Sequence, residues 1–520
     1  MPKFINCLLA GLTATLLANA PAAHALSKSD ATPEAAQTTK QARQRVLFQQ
    51  ALAKLNEKNY EAAEIEFSFL IADADYPLLS AGQKYLLHAL LAKAQSERGK
   101  NDEAYANLIL AADAAPEARD NFYWYLLWDV STRLKKYGDA IDAMTALTNA
   151  DPKNTNYYYL PYVAQTVYYA QTLPDGQDRR EKALMALWKA GYKPSGFYTA
   201  ENLWFSLFEI KAARGDTEQA REIAKTFVLP GTYIAMRIDK RYRAYTEADP
   251  AHFNLKALTD KQIESSRAKV RTHPRQVEGI VQLMLILISA NRPSEALALG
   301  DDAIARAAAT PAGKPAFDDM DDQWHWLLNT RTRALEQLGR DAESEASQIK
   351  SRDESLAQKR DTVSQRINLG DFYYEHDRPQ EALAQVSDMA EGSSSAYGLM
   401  AAEEVRACAY AQLNDRDNLA KSLDYVRAHA ADGYGPARLA LLCANDLDGL
   451  AAITISRLDD PLQRNATLRL WQNYRPEAYP TAFDKELARR ADAFVTRADV
   501  KAAIERNGYI DTYDTPRPGN

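Results

Sequence analysis

The sequence predicts an all-α fold, an α-solenoid of helical hairpins arranged in two arrays. Small residues recur at intervals of 41, 36, 43 and 37 along the first half of the 520-residue chain, at Ala63, Ala104, Ala140, Ala183 and Ala220. No stretch sustains the alternation of apolar and polar residues that is typical of strands. Self-similarity at such a period indicates stacked units that bury a continuous core between neighbours.

One stretch illustrates how the pattern predicts a hairpin. Residues 98–117 read RGKNDEAYANLILAADAAPE. Gly99 is expected to end the first helix, because glycine tolerates the backbone of a tight turn. Ala104 is expected where the two helices cross, since a larger side chain would push them apart. Ala111 lies seven residues further on the same face, and Pro116 is expected to end the second helix.

Further marks of this repeat resemble the tetratricopeptide repeat family, whose unit has 34 residues. That family carries a Trp and a Leu-Gly-x-x-Tyr pattern on its first helix. Trp124 and Trp204 stand sixteen residues before Ala140 and Ala220, where the family's Trp falls. The stretch INLGDFYYEHDRPQEALAQV supplies the second pattern and a crossing alanine, at Leu369, Gly370, Tyr373 and Ala382.

The resemblance implies a partner-binding groove. In the family, first helices line a concave groove that accepts peptides, and Trp124 would be a packing residue. The groove-facing positions that the resemblance implies are Phe122, Tyr125, Asp129, Phe205 and Glu209. The Lys and Asn pairs with which some members hold a terminal carboxylate are not found at the matching positions. Aromatic or hydrophobic contact is therefore the expected mode of binding.

The most aromatic stretch of the chain is NYYYLPYVAQTVYYAQ. Tyr158, Tyr162 and Tyr169 can share one face of a helix. Two interpretations stay open, a surface ridge that binds a partner and ordinary packing between neighbouring repeat helices. We include the three tyrosines among the predicted partner-binding residues.

Composition divides the chain into seven predicted segments. The inter-array segment lacks the repeat marks and is rich in turn signals, and both polar ends of the mature chain are expected to be disordered. The segments are a signal peptide at 1–25, a disordered linker at 26–41, a first array at 42–230, an inter-array segment at 231–261, a second array at 262–435, a helical region at 436–508 and a flexible tail at 509–520.

The first residues predict export. Lys3 precedes an apolar run at 5–17, and Ala23-His24-Ala25 forms a small-residue cleavage site. The run is short for a membrane span. We expect cleavage and a periplasmic protein that does not span the membrane, with secretion or a retained anchor as the alternatives.

Two cysteines, Cys408 and Cys443, remain after cleavage. Export permits a disulfide. However, equivalent points on packed helices lie about 8–10 Å apart, which exceeds the reach of a disulfide. The sequence therefore favours two buried, unbonded cysteines, and the disulfide is the alternative.

No motif indicates catalysis or a bound cofactor. The usual signatures of serine hydrolases, zinc proteases, P-loop NTPases and dithiol redox proteins are absent, and the seven histidines are scattered. The stretch FDDMDDQW lacks the glycine and glutamate of a calcium loop and is expected to complement a helix N-terminus. The basic stretch MRIDKRYRAY is interspersed with acids, and the net charge is −7, so no nucleic-acid partner is expected. We predict no enzyme activity, no cofactor and no metal.

These observations support a non-catalytic scaffold of the bacterial cell envelope, which binds a protein or peptide partner in its groove. The alternative from another class is an accessory protein of polysaccharide export or glycan binding, since aromatic surfaces suit sugar rings as well as peptides. An enzyme with an unrecognised site is the third hypothesis.

Overall fold

The computed structural model describes residues 33–311 and 313–517, with side chains from Arg43 onward. This part of the chain is almost entirely helical, which confirms the all-α prediction. The exception is one two-stranded parallel sheet. The chain forms two compact units, whose boundary lies between Ile223 and Ala224.

The first unit is a series of helices joined by short turns. They are α1 (Pro33–Asn56), α2 (Tyr60–Ala72), α3 (Ala81–Glu97), α4 (Asn101–Ala114), α5 (Asn121–Arg133), α6 (Tyr137–Ala150), α7 (Leu160–Ala170), α8 (Gly176–Lys189), α9 (Glu201–Ala213) and α10 (Thr217–Ala224), the last of which crosses the unit boundary.

Successive helices of the first unit pack as hairpins, α1 with α2, α3 with α4 and α5 with α6. The five recurring alanines are all fully buried, as expected for side chains at helix crossings. Gly99 and Gly215 have φ angles of +76° and +77°, a left-handed backbone that favours glycine. Small residues and turn glycines therefore occupy the places that the repeat pattern predicts.

The second unit continues with helices of more varied length and ends in the sheet. Its elements are α11 (Pro230–Ile238), α12 (Arg243–Glu247), α13 (Leu255–Thr272), α14 (Val277–Ser289), α15 (Pro293–Ala309), α16 (Met320–Glu336), α17 (Asp341–Ala357), α18 (Val363–Glu375), α19 (Pro379–Val386), α20 (Ala396–Leu413), α21 (Arg416–Ala428), α22 (Tyr434–Cys443), α23 (Leu447–Asp459), α24 (Arg464–Leu470), β1 (Asn473–Arg475), α25 (Ala482–Val495), α26 (Ala498–Asn507) and β2 (Thr512–Pro516).

The second unit closes on itself. Its first helix, α11, packs against α24 near the C-terminus as well as against α13. Ile234 and Ile238 of α11 share a buried core with Leu468, Trp471 and Phe494. The beginning and the end of the unit are thus held together by one apolar cluster.

The C-terminal residues correct one prediction. Residues 509–520 were expected to form a flexible tail, yet β2 pairs with β1 and buries Tyr513. Asp511 forms ion pairs with Arg237, at 3.1 Å, and with Arg243, at 3.5 Å. The basic stretch that includes these arginines is salt-bridged, as expected, and it anchors the end of the chain.

The predicted linker at 26–41 is corrected in part. A continuous helix begins at Pro33, so residues 33–41 are helical. Proline is favoured in a first helical turn, where its missing N–H costs nothing. The predicted signal peptide at 1–25 and the rest of the linker lie outside the described residues.

Cys408 and Cys443 form a disulfide, with their Cα atoms 5.0 Å apart. The unbonded state that the sequence favoured is therefore wrong. The two cysteines lie on α20 and α22, which pack directly against each other. Ala407 and Ala440, beside or near the bond, are fully buried. Small residues let helices approach more closely than the average spacing on which the prediction was based.

The aspartates of FDDMDDQW lie at the N-terminal ends of two helices. Asp321 and Asp322 lie in the first turn of α16, as expected from the helix dipole. Asp319 instead accepts hydrogen bonds from the backbone N–H groups of Val277, at 2.7 Å, and Glu278, at 2.9 Å. It thereby caps α14, a helix that begins more than forty residues earlier in the chain.

Candidate partner-binding surface

A row of polar and aromatic side chains follows the solvent-facing side of α5. It consists of Tyr125, Asp129 and Arg133, which are spaced four residues apart and so lie on one helix face. Arg133 and Asp129 form an ion pair at 2.7 Å. Tyr162 of α7 donates its hydroxyl to Asp129 Oδ1 at 3.1 Å. We call Tyr125, Asp129, Arg133 and Tyr162 together the α5–α7 row.

The α5–α7 row is partly desolvated. Burial, with a contribution from the Asp129 carboxylate, raises the pKa of Tyr125 to about 12. The same two causes raise the pKa of Tyr162. Both phenols are therefore neutral at physiological pH. They offer a hydroxyl group and an apolar ring, a combination that is common at protein interfaces.

Phe205 and Glu209 lie on the partly exposed side of α9. The Phe205 ring stacks on that of Phe208, with centroids 5.8 Å apart. The Glu209 carboxylate interacts electrostatically with the buried Arg180. Burial lowers the pKa of Arg180, and the Glu209 carboxylate offsets part of that lowering. Both side chains are thus partly engaged in packing within the first unit.

Two of the eight predicted site residues are corrected. Phe122 is 2% exposed and Tyr158 is 4% exposed. Phe122, three residues before Tyr125, lies on the same side of the helix as the row, but it is enclosed at the start of α5. Tyr158 precedes α7, which begins at Leu160, so helical spacing does not apply to it. Both residues pack inside the unit and offer no surface to a partner.

Trp128, and not Trp124 as expected, is the fully buried tryptophan of α5. Trp124 is only half-buried, and the guanidinium of Arg119 lies over its ring at 4.9 Å. Trp128, one turn further along α5, is completely enclosed. Its Nε1 donates to Thr166 Oγ1 at 2.8 Å.

Three solved structures align with the chain at low similarity. A tetratricopeptide repeat protein from Parabacteroides merdae is 10% identical, with a TM-score of 0.30, over 59% of this chain and 91% of that one. A chain of the APC/C hetero-tetramer Cut9–Hcn1 is 12% identical, with a TM-score of 0.26, over 89% and 96%. A chain of Naa15/Naa10 bound to HypK-THB is 14% identical, with a TM-score of 0.24, over 89% and 75%. No protein-family model and no curated protein matches the chain.

The hairpins of the chain itself carry the fold assignment. Gly370 occupies the family's glycine position, where a Cβ atom would lie 2.9 Å from Val405 Cγ1 on α20. The neighbouring Leu369 and the crossing Ala382 are fully buried. The chain folds as helical hairpins with small residues at their crossings. At Gly370 and Ala382, small residues let neighbouring helices approach closely.

Sequence reasoning missed three strongly exposed tyrosines of the first unit. Tyr157, Tyr159 and Tyr168 are 65%, 52% and 60% exposed. They belong to the same aromatic stretch from which Tyr158, Tyr162 and Tyr169 were selected. Pro161 could have identified them from the sequence, because a proline in the first turn indicates where a helix begins. The starting residue in turn indicates which tyrosines face solvent.

The exposed tyrosines lie at both ends of α7. At its N-terminal end the Tyr159 ring meets that of Tyr198 edge-on, with centroids 6.4 Å apart. At its C-terminal end Tyr168 contacts Tyr169, which is half-buried and stacks on Tyr137 at 4.7 Å. Tyr169 therefore packs against Tyr137 on one side and contacts the exposed Tyr168 on the other. We call Tyr157, Tyr159 and Tyr168 the α7 tyrosines.

Neither a metal site nor a membrane span is found in the described part of the chain. In residues 33–311 and 313–517, no three histidine, cysteine or acidic side chains are placed to hold a metal ion. No helix in the same ranges combines the length and the apolar character that crossing a bilayer requires.

Proposed function

We propose that the chain is a non-catalytic scaffold that binds a protein or peptide partner through the first unit. The observation that carries the proposal is the group of α7 tyrosines, which expose large aromatic rings in the same unit as the charged α5–α7 row. Exposed aromatic patches rimmed by polar groups are typical of interaction sites. Tyr and Arg are also enriched among the residues that contribute most binding energy.

Replacing two α7 tyrosines should abolish partner capture without unfolding the protein. In the double variant Tyr159→Ala/Tyr168→Ala, we expect at least about tenfold weaker binding, because hot-spot residues contribute about 2 kcal/mol or more. Thermal unfolding should stay close to that of the wild type, since both side chains are mostly in solvent. The measurement is affinity capture from envelope extract, followed by titration of the purified partner.

Phe69→Ala supplies the matched control. Phe69 is an exposed aromatic of α2, in the same unit but outside the α7 tyrosines and the α5–α7 row. This variant should capture the partner as the wild type does. Equal loss in both variants, or undiminished capture by the double variant, would show that the binding surface lies elsewhere.

The α7 tyrosines also support a second candidate, an accessory protein of polysaccharide export or glycan binding. Solvent-exposed aromatic rings provide flat apolar faces on which sugar rings can stack. Titration of the wild type and of Tyr159→Ala/Tyr168→Ala against purified envelope polysaccharide distinguishes the two. Saturable binding of the glycan that the double variant loses would favour this candidate, and its absence would favour the peptide partner.

We further propose that the protein acts in the bacterial cell envelope after export. The Cys408–Cys443 disulfide supports this location, because disulfides persist in oxidising compartments. The apolar run and the Ala23-His24-Ala25 site support a cleaved signal peptide.

The mature chain should begin at Leu26 and should occur in the soluble periplasmic fraction. This follows from cleavage after Ala25, the second alanine of the small-residue site. N-terminal sequencing of the protein purified from its native host checks the prediction. A sequence that starts at Met1 or Pro2 would contradict cleavage, and recovery only with membranes would indicate a retained anchor.

A further inference from the structure

Four acidic side chains converge in the second unit. Glu336 ends α16, Asp371 and Glu375 lie on α18, and Glu404 lies on α20. Each is within electrostatic reach of at least one other member. We call them the acidic cluster. Among the described residues, none of the four forms a salt bridge.

Hydrogen bonds satisfy the cluster only in part. Glu336 Oε1 accepts from Ser344 Oγ at 2.9 Å, and Glu404 Oε1 accepts from the Tyr374 hydroxyl at 2.6 Å. Asp371 Oδ1 is enclosed without a hydrogen-bond partner. An ionised carboxylate in such surroundings is costly, whereas a protonated carboxyl group is not.

A segment near the C-terminus covers this cluster. Residues 476–484 run from β1 into the first turn of α25. The Tyr479 ring lies against Gly339, where a Cβ atom would come within 2.8 Å of the ring. The Phe483 ring packs on that of Tyr374, with centroids 5.1 Å apart. We call residues 476–484 the strap.

The strap is held loosely. Tyr479 is 63% exposed even though it touches Gly339. A polar anchor to the rest of the unit lies beyond the strap, where Arg490 of α25 donates to the carbonyl oxygens of Leu442, at 2.8 Å, and Cys443, at 2.6 Å. Segments with few buried apolar contacts open at low free-energy cost, while the surrounding helices stay folded.

The strap adds negative charge to a site that is already acidic. The Asp484 and Glu477 carboxyl groups both face Glu375, and Glu477 also faces Glu336. Desolvation and the neighbouring Asp484 raise the pKa of Glu477. When all these groups are ionised, closure of the strap therefore brings like charges together.

Few cations offset this charge. The basic groups that act on the cluster or on Glu477 are Arg333 of α16, His376 after α18, Arg438 of α22 and Arg517 after β2. Desolvation raises the pKa of Glu336 to about 7, against the partial effect of Ser344 and Arg333. Desolvation and Glu404 raise the pKa of Asp371, and desolvation and Glu336 raise that of Glu375. In the closed state the carboxyl groups of the cluster therefore hold their protons to higher pH than carboxyl groups in water do.

We propose that the strap is a pH-sensitive cover. It closes over the acidic cluster when the carboxyl groups of the cluster are protonated, and it releases the cluster as they ionise. The face that it uncovers bears four carboxyl groups from α16, α18 and α20. This proposal concerns the second unit and does not depend on partner binding by the first.

The direction of the effect follows from proton linkage. Release of the strap returns water to the carboxyl groups of the acidic cluster and moves Glu477 and Asp484 away from them. The pKa values of the cluster therefore fall toward those of ordinary carboxyl groups. The closed state therefore binds more protons than the open state, and rising pH favours opening. The free energy that favours the closed state is greatest at pH values below the ordinary pKa of carboxyl groups. It decreases as the pH rises through about 7, the pKa of Glu336. Each unit of pKa difference between the two states changes their ratio tenfold.

Hydrogen exchange of the full-length, oxidised protein tests the proposal. Amides of the strap should lose at least about tenfold of their protection between about pH 5.5 and pH 8.5, after correction for intrinsic exchange. Protection of α14, in the same unit, should stay unchanged. Equal strap protection at both pH values would overturn the proposal.

Three variants separate protonation from general destabilisation. The triple variant Glu336→Gln/Asp371→Asn/Glu375→Gln imitates protonated carboxyls and should keep the strap closed at both pH values. Glu477→Gln changes a single strap side chain outside the cluster, so it should fold, and it should reduce the pH response. Glu345→Gln removes a carboxylate that pairs with Arg378 at 2.8 Å and should respond as the wild type does. An unchanged pH response in Glu477→Gln, or in a folded triple variant, would contradict the proposal.

Discussion

Trp128→Ala should destabilise the first unit by about 3–5 kcal/mol, as expected for loss of a buried aromatic side chain. Trp128 is among the largest fully enclosed side chains of the described residues. Its ring packs against Tyr158 and Tyr162, with centroids 5.3 and 5.2 Å away. The substitution removes these contacts, leaves a cavity between α5 and α7 and deprives Thr166 of its donor. Chemical denaturation monitored by circular dichroism measures the change.

Trp326→Ala is the control for this prediction. Trp326 lies on α16 and is 40% exposed. The same substitution there should cost far less, because much of the ring is already in water. A similar loss in both variants would mean that burial does not set the effect. Wild-type stability in Trp128→Ala would mean that α5 and α7 are not packed through this residue.

Removing the disulfide should destabilise the second unit by about 2–4 kcal/mol. Cys408 and Cys443 close a loop with a sequence separation of 35 residues. Cross-linking a loop of this length removes conformational entropy from the unfolded chain. The variant Cys408→Ala/Cys443→Ala suits the test, because alanine buries no unpaired polar group at these enclosed positions. Denaturation of the variant and of the oxidised wild type gives the difference.

Reduction of the wild type provides an independent comparison. With a thiol reductant, its stability should approach that of the double alanine variant. A double variant as stable as the oxidised wild type would contradict a stabilising bond. A reductant effect on the double variant itself would point to a cause other than the disulfide.

Local features of the fold could be predicted from the sequence. The buried alanines and the left-handed glycines depend on helix crossings and turns that involve neighbouring parts of the chain. Gly99 and Ala104 lie five residues apart, for example, and together define one hairpin. Such constraints leave a repeated trace in the sequence, because every hairpin must meet them.

Features that join distant segments left no such trace. The pairing of β1 with β2 and the ion pairs of Asp511 depend on where the chain returns, not on local spacing. The disulfide was missed for a related reason, since its feasibility depends on how closely α20 and α22 approach. The site was predicted in part. Tyr125 and Asp129 do share one face of α5, whereas the burial of Phe122 depends on what packs over the start of α5, and Tyr158 required the starting residue of α7.

The contact between α11 and α24 has a consequence for how the second unit unfolds. In an open array of repeats, the terminal repeat contacts only one neighbour and can detach first, so arrays lose structure from their ends. The second unit has no such free end, because Ile234 and Ile238 share a core with Leu468 and Trp471. Detaching either terminus exposes apolar surface on both. The unit should therefore melt in one cooperative step, and deletion of its last helices should weaken its first helix as much as its last remaining one.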